Sequence, residues 1–260
     1  FNTPHSPMQV PERFWNEKRD KKLNLLGTEG TENIQHTKAA LAMCENIDWN
    51  VGRIVDKIEA LGLSEDTIIL YFSDNGPNGW RWNGGMKGIK GNTDEGGVRS
   101  PLFIKWPSKI RAGLKIDEIS SAIDLLPTLS ELCGIDYLTK KKLDGLSLKN
   151  LLLEQEENTW KDRTILNQFR GRMSIRSQQY RLSNDQKLYD IQNDRGQKND
   201  LSAQLPDIKL AMAMVAEEFK AQIETELPKI DKRPYYLGHP DAIYTQIPAR
   251  DGKAHGGITR

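Results

Sequence analysis

Apolar residues recur every three or four positions after Thr31, through Ala40, Met43, Ile47, Val51, Ile54, Ile58 and Leu61. That spacing is the stripe of an amphipathic helix, and Gly62 directly after it predicts the stop. The period then changes. Residues 67–72, Thr-Ile-Ile-Leu-Tyr-Phe, form a near-continuous β-branched and aromatic run, the composition of an α/β strand buried on both faces. Shorter strands are expected over 102–106 and 120–123. Asp124 then stands where it would cap a helix that runs to Cys133 and ends at Gly134, with Pro127 tolerated in the first turn.

Beyond Trp160 the apolar runs shorten. Residues 164–169, 173–176, 180–182 and 187–190 are separated by turn formers and read as an antiparallel meander. Ile208, Met212, Val215, Phe219 and Ile223 then mark one face of a helix that ends before Pro228. The expected organisation is an α/β domain over 1–138, a polar connector over 139–163, a small antiparallel sheet-and-helix subdomain over 164–228, and an irregular tail over 229–260.

Composition narrows the function classes. The 260 residues carry 37 basic and 36 acidic side chains, a net charge of +1, so the chain has no overall field for gripping nucleic acid or an anionic membrane. No apolar run is long enough for a membrane-spanning helix. Two cysteines, Cys44 and Cys133, are too few for a disulfide scaffold. The chain opens Phe1-Asn2-Thr3-Pro4-His5, without an initiator Met and on what reads as the end of a buried strand, so it is expected to be a portion of a longer protein.

Candidate chemistry gathers around the loop after residue 72. Asp74 and Asn75 offer two hard oxygen donors at a strand end, suited to calcium or magnesium, although Asp-Asn-Gly also favours a plain turn. Lys90 lies in a glycine-rich stretch where the backbone can approach an oxyanion and a lysine supplies a point charge. The loop matches neither a Walker motif nor a dinucleotide fingerprint. His5, between Pro4 and Pro7, is expected in a stiff extended context as a proton donor, an anion ligand or a structural residue. Trp80, Arg81 and Trp82 suit a sugar ring bearing anionic groups, with packing as the alternative for both tryptophans. Glu95 and Arg99, four apart, are expected to pair and fix the loop, and Arg170 and Arg172 to reach the cleft.

Five motifs occur in a familiar order: Asn2-Thr3-Pro4-His5-Ser6-Pro7, Ser73-Asp74-Asn75-Gly76, Lys90-Gly91 through Glu95-Gly96-Gly97-Val98-Arg99-Ser100-Pro101, Asp124-Leu125-Leu126-Pro127-Thr128, and Lys187-Leu188-Tyr189-Asp190. Over residues 1–202 the chain resembles the C-terminal portion of the formylglycine-dependent sulfatases, which are arylsulfatase-like members of the alkaline phosphatase-like superfamily. The resemblance implies an α/β/α sandwich with a mostly parallel sheet, present here in part, plus the small antiparallel subdomain. It implies that Asp74 and Asn75 hold one calcium ion, that Lys90 contacts the substrate sulfate, and that His5 contacts the sulfate or the leaving oxygen. It further implies a sulfated glycan or other sulfate ester as substrate and a periplasmic or secreted location. The family's nucleophile, a formylglycine made within Cys/Ser-x-Pro-x-Arg, has no counterpart in these 260 residues. The nucleophile is expected in an N-terminal half of the same enzyme, and this portion alone is expected to be inactive. A phosphatase or phosphonate hydrolase of the same superfamily, and a non-catalytic fragment that binds sulfated glycan, are the rival readings.

Overall fold

The computed structural model describes residues 3–23, 30–136, 142–155, 160 and 162–226. The expected strand end at Phe1, the Lys140-Lys141 part of the connector and the tail over 229–260 lie outside the described residues. The chain divides into two compact units, Phe1–Glu218 and Phe219–Arg260. The first contains every site residue.

Helix α1, Glu12–Arg19, packs on α2, Ile34–Ala60, through an edge-to-face contact of Phe14 and Trp49 at 6.3 Å. Asn33 caps α2 by accepting from the His36 amide, and Gly62 ends it at φ 69°. The first half of the apolar stripe is buried, at Ala39, Ala40, Met43 and Ile47, whereas Ile54 and Leu61 stay exposed.

Strand β1, Ile69–Phe72, is shorter than the apolar run that predicts it and is only half-buried, with Phe72 exposed. After the four-residue helix α3, Glu95–Val98, strand β2, Leu102–Lys105, pairs with β1 antiparallel, Ile69 opposite Lys105 and Phe72 opposite Leu102. The expected burial on both faces is therefore not met among the described residues, because β1 has one strand neighbour and the sheet holds two strands. The strand expected over 120–123 is also corrected. Ser121 and Asp124 form a reciprocal capping box, which turns Ala122–Asp124 into a 3₁₀ turn leading into α4, Leu125–Cys133. Asp124 thus closes the cap from inside the first turn, and Ser121 does the capping. Gly134 ends α4 in the left-handed conformation.

The fully buried Asp124 carboxylate accepts from the Ser121 amide at 2.7 Å, the Leu146 amide at 2.8 Å and Arg163 Nη1 at 2.7 Å. Within the stretch expected as a connector, α5, Lys149–Leu152, buries Leu151 and Leu152 with Ile110 and Leu148.

The meander follows the predicted segments closely: β3 Ile165–Phe169, β4 Arg172–Arg176, β5 Tyr180–Leu182 and β6 Leu188–Asp190 form one antiparallel sheet in chain order. Helix α6, Pro206–Glu226, lays Met212, with Ile208 and Val215 beside it, on Ile175, Leu182 and Leu188. Burying each of those aliphatic side chains stabilises the fold by about 1.5–3 kcal/mol. Both sheets among the described residues are antiparallel, and with the helices around them they make an α/β fold.

Candidate active site

Chain leaving β1 turns through Asp74, Asn75 and Gly76 and is laced at once to the glycine-rich loop. Ser100 Oγ donates to the Ser73 carbonyl at 2.6 Å, the Gly76 amide to the Gly97 carbonyl at 2.9 Å, and the Lys90 amide to the Pro77 carbonyl at 2.9 Å. Inside the loop the Gly96 amide reaches the Lys87 carbonyl at 2.7 Å, and Asn92 Oδ1 accepts from the Ile89 amide at 3.1 Å. Two glycines are required for close approach: a Cβ on Gly76 would run into the Gly96 carbonyl, and one on Gly96 into the carbonyls of Lys87 and Gly88.

Asp74 is exposed and its carboxylate has no partner among the described residues. Asn75 donates from Nδ2 to the Gly76 carbonyl at 2.9 Å, which leaves Oδ1 uncommitted. Two adjacent oxygen donors of this kind fit calcium, which takes 6–8 oxygen ligands, as part of a coordination shell. No group of three His, Cys, Asp or Glu side chains able to hold a metal exists among the described residues.

Lys90 is half-buried and its ammonium has no partner among the described residues, whereas Lys87 lies 3.8 Å from Asp94. His5 is exposed in a turn, not in extended chain, with Nδ1 bonded to the Ser6 carbonyl at 2.7 Å. Since that carbonyl can only accept, Nδ1 carries the hydrogen and Nε2 is left open. Of the aromatic pair, Trp82 is exposed, while Trp80 packs so closely on Gly30 that a Cβ there would collide with the indole. Arg81 is turned to α2, with Nη2 2.7 Å from His36 Nδ1 and donating to the Asn78 carbonyl at 2.8 Å. Burial, and then the Arg81 charge, hold the His36 pKa below its usual value.

Asp74 and Asn75 open onto a cavity of about 1140 Å³ whose wall also carries Glu95, Arg99, Arg176 and Arg181. Lys90, His5, Trp80, Arg81 and Trp82 are not part of its lining. The structure therefore brings the backbone of the Asp74 turn and of Lys90 together, but it does not join all the expected site side chains in one described cavity.

The sequence reading missed what anchors this loop. The predicted Glu95–Arg99 pair forms, Nη1 to Oε1 at 3.1 Å, yet the buried Glu95 is held chiefly from the antiparallel sheet by Arg181 and Arg176. Gln197 adds two further bonds, accepting from the Glu95 amide at 2.9 Å and donating to Asp94 Oδ1 at 2.8 Å. Burial by itself would raise the Glu95 pKa; the charges of Arg181 and Arg176, the Arg181 hydrogen bond and Arg99 outweigh it and hold the carboxyl below its ordinary range. The one signal available was an arginine between the two apolar residues of a three-residue strand, Tyr180-Arg181-Leu182.

Oxygen donors at a strand end are laced through the backbone to a glycine-rich loop whose Lys90 ammonium has no partner among the described residues, all within an α/β fold. The chain belongs to the sulfatase family: the family profile described as "Sulfatase" matches residues 1–135, and one described as "N-sulphoglucosamine sulphohydrolase, C-terminal" matches residues 90–226. Among relatives, the steryl-sulfatase of Rattus norvegicus is 38% identical over 120 residues, 42% of this chain and 21% of its own length. The crystal structure of Ps i-CgsB in complex with k-i-k-neocarrahexaose superposes with a TM-score of 0.70 at 26% identity, covering 84% of this chain and 48% of that one. BT4656, in complex with its substrate D-glucosamine-2-N,6-O-disulfate, gives a TM-score of 0.55 at 25% identity, over 76% of this chain and 43% of that one. The match thus spans about a fifth of the curated relative's length and less than half of either solved chain. No helix of the described residues is long and apolar enough to cross a membrane.

Proposed function

We propose that this chain is the C-terminal portion of an enzyme that hydrolyses a sulfate ester of a carbohydrate. The observation that carries the reading is the double backbone link, Gly76 to Gly97 and Lys90 to Pro77, which ties two oxygen donors to a free lysine in a chain of the sulfatase family. A sulfated sugar is favoured as substrate by BT4656, whose substrate is D-glucosamine-2-N,6-O-disulfate.

Calcium, held by Asp74 and Asn75 together with ligands from the N-terminal half, would supply positive charge to neutralise the ester oxygens. A sulfate monoester repels any approaching nucleophile, so Lys90 lowers that barrier by placing its ammonium against a sulfate oxygen. It acts as a charge clamp and not as the acid, since a lysine must lose much of its basicity to donate well near neutrality. His5 turns its open Nε2 to the sulfate or to the departing oxygen. Trp82 offers an exposed ring for the sugar, while Trp80, packed on Gly30, and Arg81, turned to His36 of α2, support the loop that carries it. The nucleophile, a formylglycine, belongs to the N-terminal half, which is this chain's partner in the proposal. The enzyme is assigned to the periplasm or the extracellular space.

The test is turnover by the full-length protein of 4-nitrophenyl sulfate and of sulfated sugars, with and without calcium chelation, against 4-nitrophenyl phosphate. Sulfate release that falls on chelation and returns with calcium supports the reading. Hydrolysis of the phosphate ester alone would transfer the protein to the phosphatases.

A further inference from the structure

Most charges around the glycine-rich loop are spent on one another. Lys87 faces Asp94, and Arg99, Arg176 and Arg181 converge on Glu95. Three cations at one edge differ. Lys90, Arg170 and Arg172 meet no carboxylate among the described residues, and all three are grouped about Gly91. Lys90 precedes it in the chain. Arg172 donates from Nη1 to the Gly91 carbonyl at 3.3 Å. Phe169, paired with Arg172 in the β3–β4 ladder, places its Cε1 3.8 Å from where a Gly91 Cβ would stand. The Arg170 guanidinium lies over the Phe169 ring, 5.2 Å from its centroid.

This edge is also rigid. β3 and β4 pair over five residues and are joined by Arg170 and Gly171 alone, both at positive φ, 48° and 78°, as a tight hairpin turn of the type I′ kind requires. Phe169 remains 45% exposed, so its contacts with Gly91 and Arg170 leave nearly half of this aromatic side chain open to solvent. A fixed aromatic side chain flanked by guanidinium groups with no counter-charge among the described residues is chemistry for a ring-shaped polyanion: the ring stacks, and each guanidinium can take two oxygens of a sulfate.

We propose that the tip of the β3–β4 hairpin, Phe169 with Arg170 and Arg172, is a subsite that holds a sugar ring and a second anionic group of a sulfated glycan, adjacent to the ester taken by Lys90. The proposal rests on the sulfatase reading given above and adds the element that selects a multiply charged carbohydrate. Tip residues take no part in the bond that breaks, so they act on affinity and selectivity.

Dextran sulfate binding to the full-length protein tests the subsite directly, with titration calorimetry on wild type, Phe169→Ala, Phe169→Tyr, Arg170→Gln and Arg172→Gln, and a thermal melt of each. Phe169→Ala should weaken Kd by about tenfold and leave its salt dependence alone, with Phe169→Tyr restoring affinity. Each arginine variant should weaken Kd by about five- to tenfold and flatten the salt dependence. Unaltered Kd, within about twofold, for the alanine and glutamine variants overturns the subsite. Hydrolysis of 4-nitrophenyl sulfate is followed in parallel. Wild-type protein that binds dextran sulfate through these residues yet cleaves no sulfate ester would retain the subsite and sink the sulfatase reading; cleavage with unaltered Kd would do the reverse.

Discussion

Arg181 donates from Nε at 3.1 Å and from Nη2 at 2.8 Å to a single oxygen, Oε2, of Glu95, and both residues are only 2% exposed. The two are 86 positions apart, one opening α3 below the Lys90 loop and the other in β5. Arg181 Nη1 also reaches the Thr93 carbonyl and Ser174 Oγ, both at 2.8 Å, so one guanidinium ties the loop to two strands of the meander.

Removing that guanidinium leaves a buried carboxylate with fewer counter-charges. Arg181→Met is expected to lower unfolding stability by about 3–5 kcal/mol, measured by urea denaturation. Paired with Glu95→Gln in a double-mutant cycle, the loss should be strongly non-additive. Additive effects would show that the two side chains do not act as a unit.

Stability should also depend on acidity through Glu95. Its folded-state pKa is depressed, so the folded carboxyl keeps its charge where an unfolded one, near about 4.3, already takes up a proton. The contribution is fully present above the unfolded value and is lost as pH falls through the folded one. Comparing urea midpoints of wild type and Glu95→Gln from neutral pH downward should show a gap that narrows only below the ordinary glutamate range. A gap of constant size would contradict the assignment.

Lys90→Ala should leave the melting temperature of the full-length enzyme in place, because its ammonium has no partner among the described residues to lose. kcat for sulfate ester hydrolysis should fall by about 10²- to 10³-fold. Steady-state kinetics with wild-type kcat would remove Lys90 from the mechanism.

Gly96→Ala tests the lacing of the loop. Its Cβ would meet the Gly88 carbonyl oxygen at 2.5 Å and that of Lys87 at 2.7 Å, both backbone atoms that cannot swing aside. Overpacking of this kind costs about 1–3 kcal/mol. Amide exchange at Lys90 and Gly97 should quicken in the variant, while amides in β4 and β5 keep their protection.

Local pattern revealed the meander almost residue by residue, because each strand is short, bounded by turn formers and paired with its chain neighbour. It also placed α2 and its stop at Gly62. It placed a strand in residues 67–72, where β1 forms over Ile69–Phe72, but misjudged its cover, since an apolar run reports what the residues could bury and not which neighbours are present to cover them. Residues 120–123 looked like a strand because Ile123 and the preceding serines carry no helical stripe; the deciding bond is the one that the Ser121 amide donates to the Asp124 carboxylate. Asp74, Asn75 and Lys90 were legible as chemistry-bearing types. Arg181 and Gln197 were not, because partners 86 to 103 positions away leave no mark in local spacing.

The Arg170-Gly171 turn has no slack. One residue added there would end the two-residue turn, and Phe169 could stay opposite Arg172 only across a longer loop with its own bulge. Exchanging the side chains at 169, 170 and 172 leaves that pairing in place, whereas lengthening the turn does not leave its geometry in place.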